Sequence, residues 1–103
     1  MLDLNTRQDA QASTVVAKGE IDLESAPELL QKLTPLFKSG GAVRVDLAGV
    51  AYMDSTGVAV LVQALKLGQK SGAAFRLVSP SERVQAVLSL ARLDQVFDIE
   101  SEG

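Results

Sequence analysis

The chain has 103 residues, ten basic and thirteen acidic for a net charge of −3, and is 47% apolar, the size and balance of one globular domain with its own core. It has no cysteine and no histidine, which removes disulfides, thiolate metal sites, thiol nucleophiles and the commonest general base; no metal, cofactor or catalytic constellation is expected. Scattered basic residues and only four aromatics (Phe37, Tyr52, Phe75, Phe97) argue against direct nucleic-acid binding. No apolar run approaches the ~18–20 residues needed for membrane insertion, and the opening residues lack a signal-peptide layout, so a cytoplasmic location is expected.

Residues 2–8 alternate weakly and predict an edge strand with Leu2 and Leu4 inward. A polar connection, "DAQAS", leads to a second strand over 14–21. "LESAPELLQKLTPLF" has a helical period, with Leu29, Leu33 and Leu36 or Phe37 on one face. Ser25 and Glu28 match a capping box and Pro27 suits a first turn. Pro35 should end or kink this helix, and "KSGG" stops it. "AVRVDLAGV" (42–50) alternates Val43, Val45 and Leu47 with Arg44 and Asp46 and predicts a strand. Apolar residues at 58, 61, 62 and 65 predict a second helix, ended by Lys70-Ser71-Gly72. A strand over 73–79 follows. The next helix, "SPSERVQAVLSLARL", is expected to start with Ser79 as N-cap, Pro80 at its first position and Glu82 at its third. "DQVFDIE" predicts a last short strand and "SEG" a frayed end. The order β-β-α-β-α-β-α-β implies an α/β fold with a sheet at least partly parallel and helices packed against it.

One junction carries the functional interest: Asp54-Ser55-Thr56-Gly57, between the third strand and the second helix. Asp and Ser are strong N-caps, and an acid there complements the helix dipole. The junction also lies at a strand's C-terminal end, where open α/β sheets place binding sites. Gly57 in a first turn costs about 1 kcal/mol against Ala and is expected to clear space for a partner's approach to Ser55. A phosphate on Ser55 would meet the free amides and positive dipole end of the helix, beside Asp54. Glu20 and Asp22 should lie at the same sheet end, forming a negative rim, with Asp22 helping to cap the first helix. Val60, Ala64 and Leu67 are apolar but lie beside the expected core stripe; they either pack on a neighbouring helix or offer a docking surface.

"GEIDLESAPEL" together with "VRVDLAGVAYMDSTGVAVLVQALKLGQKSGAAFRLVSPSERVQAVLSLARLDQVFDI" resembles the anti-sigma-factor antagonist family, nearly end to end. The resemblance implies a single STAS-type domain over residues 1–103, core about 13–99, with a small mixed β-sheet flanked by α-helices. It implies a non-enzymatic switch. The unmodified antagonist binds an anti-sigma factor that is also a serine protein kinase; phosphorylation releases it, and a phosphatase resets it. Carried over, the phosphoacceptor is Ser55, with Thr56 as competitor, and the partner-binding residues are Glu20, Asp22, Asp54, Ser55, Thr56, Gly57 and Val60. The chain departs from the family at Ala59, where many members have a second glycine. Related single-domain proteins are accessory subunits of lipid-transporting ABC systems that dock on the ATPase, which is the alternative reading.

Overall fold

The computed structural model describes residues 1–39 and 41–101; the expected "KSGG" stop and "SEG" end fall partly on 40 and 102–103, outside the described residues. Strand β1 (Leu2–Gln8) turns back on β2 (Ala12–Ile21). The turn is closed by the Asp9 carboxylate, which accepts from the Gln11 and Ala12 amides, both at 2.8 Å. Helix α1 (Ala26–Leu33) is followed by a 3₁₀ segment (Thr34–Ser39), then β3 (Ala42–Met53), α2 (Ser55–Ser71), β4 (Phe75–Val78), α3 (Glu82–Leu90) and β5 (Asp98–Glu100). The element order is the one the sequence predicts.

The five strands lie in chain order, β1-β2-β3-β4-β5. β1 is antiparallel to β2 and every later pair is parallel. Each parallel connection crosses over through a helix. One face of the sheet (Val15, Ala17, Val43, Val45, Leu47, Phe75, Leu77) joins Leu29, Leu33, Leu61, Ala64, Val84 and Leu88 of the helices in one core cluster. Thr14, Arg44, Asp46 and Arg76 alternate with these residues and stay half-buried, on the opposite face.

Pro35 ends the α-helical part of the first helix as expected, α-helical to Leu33 and 3₁₀ beyond, with Phe37 rather than Leu36 buried. Two local expectations are corrected. The Ser25–Glu28 capping box does not form, because Ser25 has helical backbone angles and makes no side-chain cap bond. Its hydroxyl donates instead to the Glu20 carbonyl at 2.7 Å. At α3 the N-cap is Ser81, not Ser79, so Pro80 precedes the helix and Glu82 is its first residue. Ser81 suits the position because its hydroxyl also donates to the Val50 carbonyl of β3 at 2.6 Å, while Ser79 holds a left-handed φ of 47° in the turn before it. This helix ends at Leu90, short of the expected Leu93. The Leu93 amide bonds the Leu88 carbonyl at 2.8 Å and the Arg92 amide bonds the Ser89 carbonyl at 3.0 Å, a Schellman ending with Arg92 as the left-handed residue.

β3 runs three residues past the expected Val50 because of two bulges. Val16 pairs with Asp46 and Lys18 with Gly49, then Gly19 with Val50 and Glu20 with Tyr52. At each step β3 spends one residue more than β2, which bends and twists a strand. Its buried positions accordingly run 43, 45, 47, 50, 53, and strict alternation fails after Leu47. The second bulge ends with Met53 inward and Tyr52 outward, and so aims the junction that follows.

Candidate functional site

The junction sits where β2 and β3 end side by side. Ile21 pairs with Met53, and the Asp54 amide donates to the Ile21 carbonyl at 3.3 Å. The next residue, Ser55, opens α2. Asp54 is the N-cap, in extended backbone, and its Oδ1 accepts from the Thr56 amide at 2.9 Å. The Thr56 hydroxyl donates to the same oxygen. The Asp54 carbonyl takes the Gly57 amide at 3.1 Å and the Val58 amide at 3.3 Å. The amides of Thr56, Gly57 and Val58 are therefore all held by Asp54. This narrows the expectation of free amides for a phosphate: the Asp54 carboxylate takes the Thr56 amide, and the Asp54 carbonyl takes those of Gly57 and Val58.

Ser55 itself is exposed, while Asp54 and Thr56 are half-buried. Among the described residues the Ser55 side chain has no hydrogen-bond partner. Of two adjacent hydroxyls, one is therefore tied inward and one is free.

Gly57 has a different role from the one expected. It is buried, and a Cβ there would lie 2.5 Å from Met53 Cγ and 2.8 Å from Ile21 Cγ2. The missing side chain lets α2 seat on the ends of β2 and β3; it does not clear a path for a partner. Val60 is likewise corrected: it is 6% exposed and part of the core. The buried face of α2 runs through Gly57, Val58, Val60, Leu61, Ala64 and Gly68, with Val62 and Leu65 only half-buried. The helix is thus rotated from the expected 58-61-62-65 stripe, because the close seat at Gly57 sets its first turn. Neither Gly57 nor Val60 offers contact surface.

Glu20 and Asp22 bracket Ile21, the partner of Met53, at the end of β2 and so lie at the same sheet end as Asp54. They sit in a wired turn. Asp22 Oδ1 accepts from the Glu24 and Ser25 amides, both at 3.0 Å, and the Asp22 amide donates to the Ser25 hydroxyl at 2.9 Å. The Ala26 amide bonds the Asp22 carbonyl at 2.8 Å, while the Ser25 carbonyl takes the Glu28 amide at 3.0 Å and the Leu29 amide at 3.4 Å, so Asp22 and Ser25 together anchor the start of α1. The Ser25 amide, then the Ser25 hydroxyl, hold the Asp22 carboxyl below its usual range. Glu20 pairs with the chain's amino group at 2.9 Å. Gly19, with φ of +112°, admits the Met1 carbonyl where a Cβ would lie at 2.2 Å. Among the described residues these carboxylates do not gather into a group that could hold a metal ion.

Two surface residues at this end were not singled out from sequence. Leu23 is 74% exposed between Asp22 and Glu24; its signal was an apolar residue off the stripe of α1. Tyr52 is 40% exposed and lies under the Arg83 guanidinium at 5.0 Å, a cation–π contact between β3 and α3 that no local pattern announces.

Comparison with known proteins gives a consistent answer. The family model described as "Mlab, STAS domain" matches residues 4–99. The anti-sigma-B factor antagonist of Bacillus subtilis (strain 168) is 38% identical over 104 residues, spanning 99% of this chain and 95% of its own. Among solved structures, an anti-sigma factor antagonist from Mycobacterium paratuberculosis superposes with a TM-score of 0.85 at 24% identity, covering 97% of this chain and 86% of its own. The anti-sigma factor antagonist SpoIIAA shares the fold in two forms. The unphosphorylated form has a TM-score of 0.81 at 15% identity over 98% of this chain and 89% of its own. The phosphorylated form, of the Bacillus protein, has 0.76 at 14% identity over 98% and 92%. The chain belongs to the anti-sigma-factor antagonist family of STAS domains.

Proposed function

We propose that this protein is an anti-sigma factor antagonist that works by partner switching. Unmodified, it binds an anti-sigma factor that is also a serine kinase; phosphorylated on Ser55, it lets go, and a phosphatase returns it to the binding form. The observation that carries the reading is the free, exposed Ser55 hydroxyl on a turn pinned by Asp54 and Gly57. Full-length similarity to curated antagonists supports the role, and the existence of SpoIIAA in both phosphorylation states supports the idea that this fold tolerates the modified state. The 38% identity over nearly the full length to a curated anti-sigma-B factor antagonist also favours the sigma-regulator reading over docking on a transporter ATPase.

The chain supplies the substrate hydroxyl, and the partner supplies the nucleotide and the base. The expected contact surface is Ser55 with Asp54 and the Glu20–Asp22 rim. A phosphate adds about −1.5 to −2 charge at pH 7. Ser55 is exposed beside the Asp54 carboxylate, so that charge stays at the surface a partner would cover. A binding loss of ~2–3 kcal/mol would release the complex roughly 30- to 150-fold. The test is phosphosite mapping after incubation with ATP and the kinase that co-purifies from the protein's own cells. Phosphoserine at 55, absent from Ser55→Ala, is expected; phosphate retained by Ser55→Ala would move the site.

A further inference from the structure

We propose that Thr56 is a positioning residue for the Ser55 hydroxyl: its own hydroxyl and amide hold the Asp54 carboxylate away from Ser55, leaving Ser55 as the one hydroxyl at the helix start that a kinase can use. This rests on the reading of Ser55 as acceptor and deepens it. Asp54 Oδ1 accepts both from the Thr56 amide, at 2.9 Å, and from the Thr56 hydroxyl. A carboxylate beside a serine at a helix start competes for local donors, and an ionised one is acceptor-only with room for several bonds. Without the Thr56 hydroxyl, the carboxylate keeps the Thr56 amide but has acceptor capacity to spare, and the Ser55 hydroxyl is the nearest new donor in sequence.

The consequence is chemical. In the transfer, the Ser55 oxygen forms a bond to the γ-phosphorus of the partner's nucleoside triphosphate as the bond from that phosphorus to the β–γ bridging oxygen breaks. The nucleoside diphosphate leaves, and the hydroxyl proton passes to a base on the partner. A Ser55 proton shared with Asp54 is turned away from that base. Thr56 is itself spared because its proton is already given to Asp54 and its side chain is half-buried. The seat of Gly57 against Met53 and Ile21 fixes the rotation of the turn, so the two hydroxyls cannot exchange places.

The experiment compares Thr56→Val, which keeps shape and loses the hydroxyl, with Thr56→Ser, which keeps the hydroxyl. In steady-state phosphorylation by the co-purifying kinase, Thr56→Val should lower kcat roughly ten- to a hundredfold, as misplacement of a reacting group does. KM should change less than kcat, since the Glu20–Asp22 part of the docking surface is untouched and only the Asp54 carboxylate turns. Thr56→Ser should restore the rate, and Ser55→Ala should yield no phosphothreonine at 56. A crystal structure of Thr56→Val should show the Asp54 carboxylate within hydrogen-bond reach of the Ser55 hydroxyl. Wild-type kcat in Thr56→Val, phosphate on Thr56, or an unmoved Asp54 in that crystal structure would each overturn the proposal. If wild type accepts no phosphate at all, the partner-switch reading itself fails, and the crystal structure still decides what Thr56 does to Asp54.

Discussion

At the scale of single residues, Asp54 and Gly57 do most to shape the junction. Asp54→Ala removes a cap that serves the Thr56 amide and should cost about 0.5–2 kcal/mol in denaturant unfolding; Asp54→Asn should cost less, since Asn caps as well. Gly57→Ala reverses the usual sign. On an exposed helix the change would gain about 1 kcal/mol. Here the added carbon meets Met53 and Ile21 inside 3 Å, so a loss of about 1–3 kcal/mol is expected, and a higher melting temperature would refute the packing described. The cap was legible in sequence because it is local. The purpose of Gly57 was not, since Ile21 meets it only through the pairing of β2 and β3. Asp22 gives a pH prediction. Its folded pKa is lowered by the Ser25 amide and hydroxyl, so its contribution is present above the unfolded carboxyl value of about 3.9 and is lost as pH falls through the folded value. NMR should show the Glu24 and Ser25 amides shifting and exchanging faster only in that acid range; a change centred near neutral pH would contradict it.

At the scale of elements, periodicity identified every strand and helix but misjudged where three of them turn. β3 lost its alternation at Ala48, where the first bulge inserts a residue; that the strand continues past the break shows only in its pairing with β2. For α3, two serines two positions apart both resemble a cap; the choice of Ser81 comes from its bond to Val50, 31 residues away. α2 was expected on a 58-61-62-65 face, and the seat of Gly57 rotates it toward Val60, Ala64 and Gly68. Leu61 belongs to both faces, Leu65 only to the expected one. Leu61→Ala should therefore cost about 2–5 kcal/mol, the range for a buried leucine, with Leu65→Ala costing clearly less in the same unfolding experiment. Equal losses would mean the helix sits on the face the periodicity suggested.

Across the whole molecule, the sheet order places the ends of β2 and β3 together, so the Glu20–Asp22 turn and Asp54-Ser55 share one end of the sheet though 31 residues lie between Asp22 and Asp54. The two-residue match of acid-rich turn and hydroxyl was legible from the alternating β and α elements; the exclusion of Val60 and Gly57 from the surface was not, because it depends on how closely α2 lies on the sheet. Ser55 is exposed, so a negative charge there should leave the fold's stability within about 0.5 kcal/mol, the ordinary range for a surface substitution, while altering what can bind. The measurement that bears most directly on this is capture from the protein's own cells, at native level, of wild type and Ser55→Asp in parallel, with bound proteins identified by mass spectrometry. The account predicts an ATP-binding serine kinase held by wild type and lost from Ser55→Asp; a transporter ATPase held equally by both would contradict it.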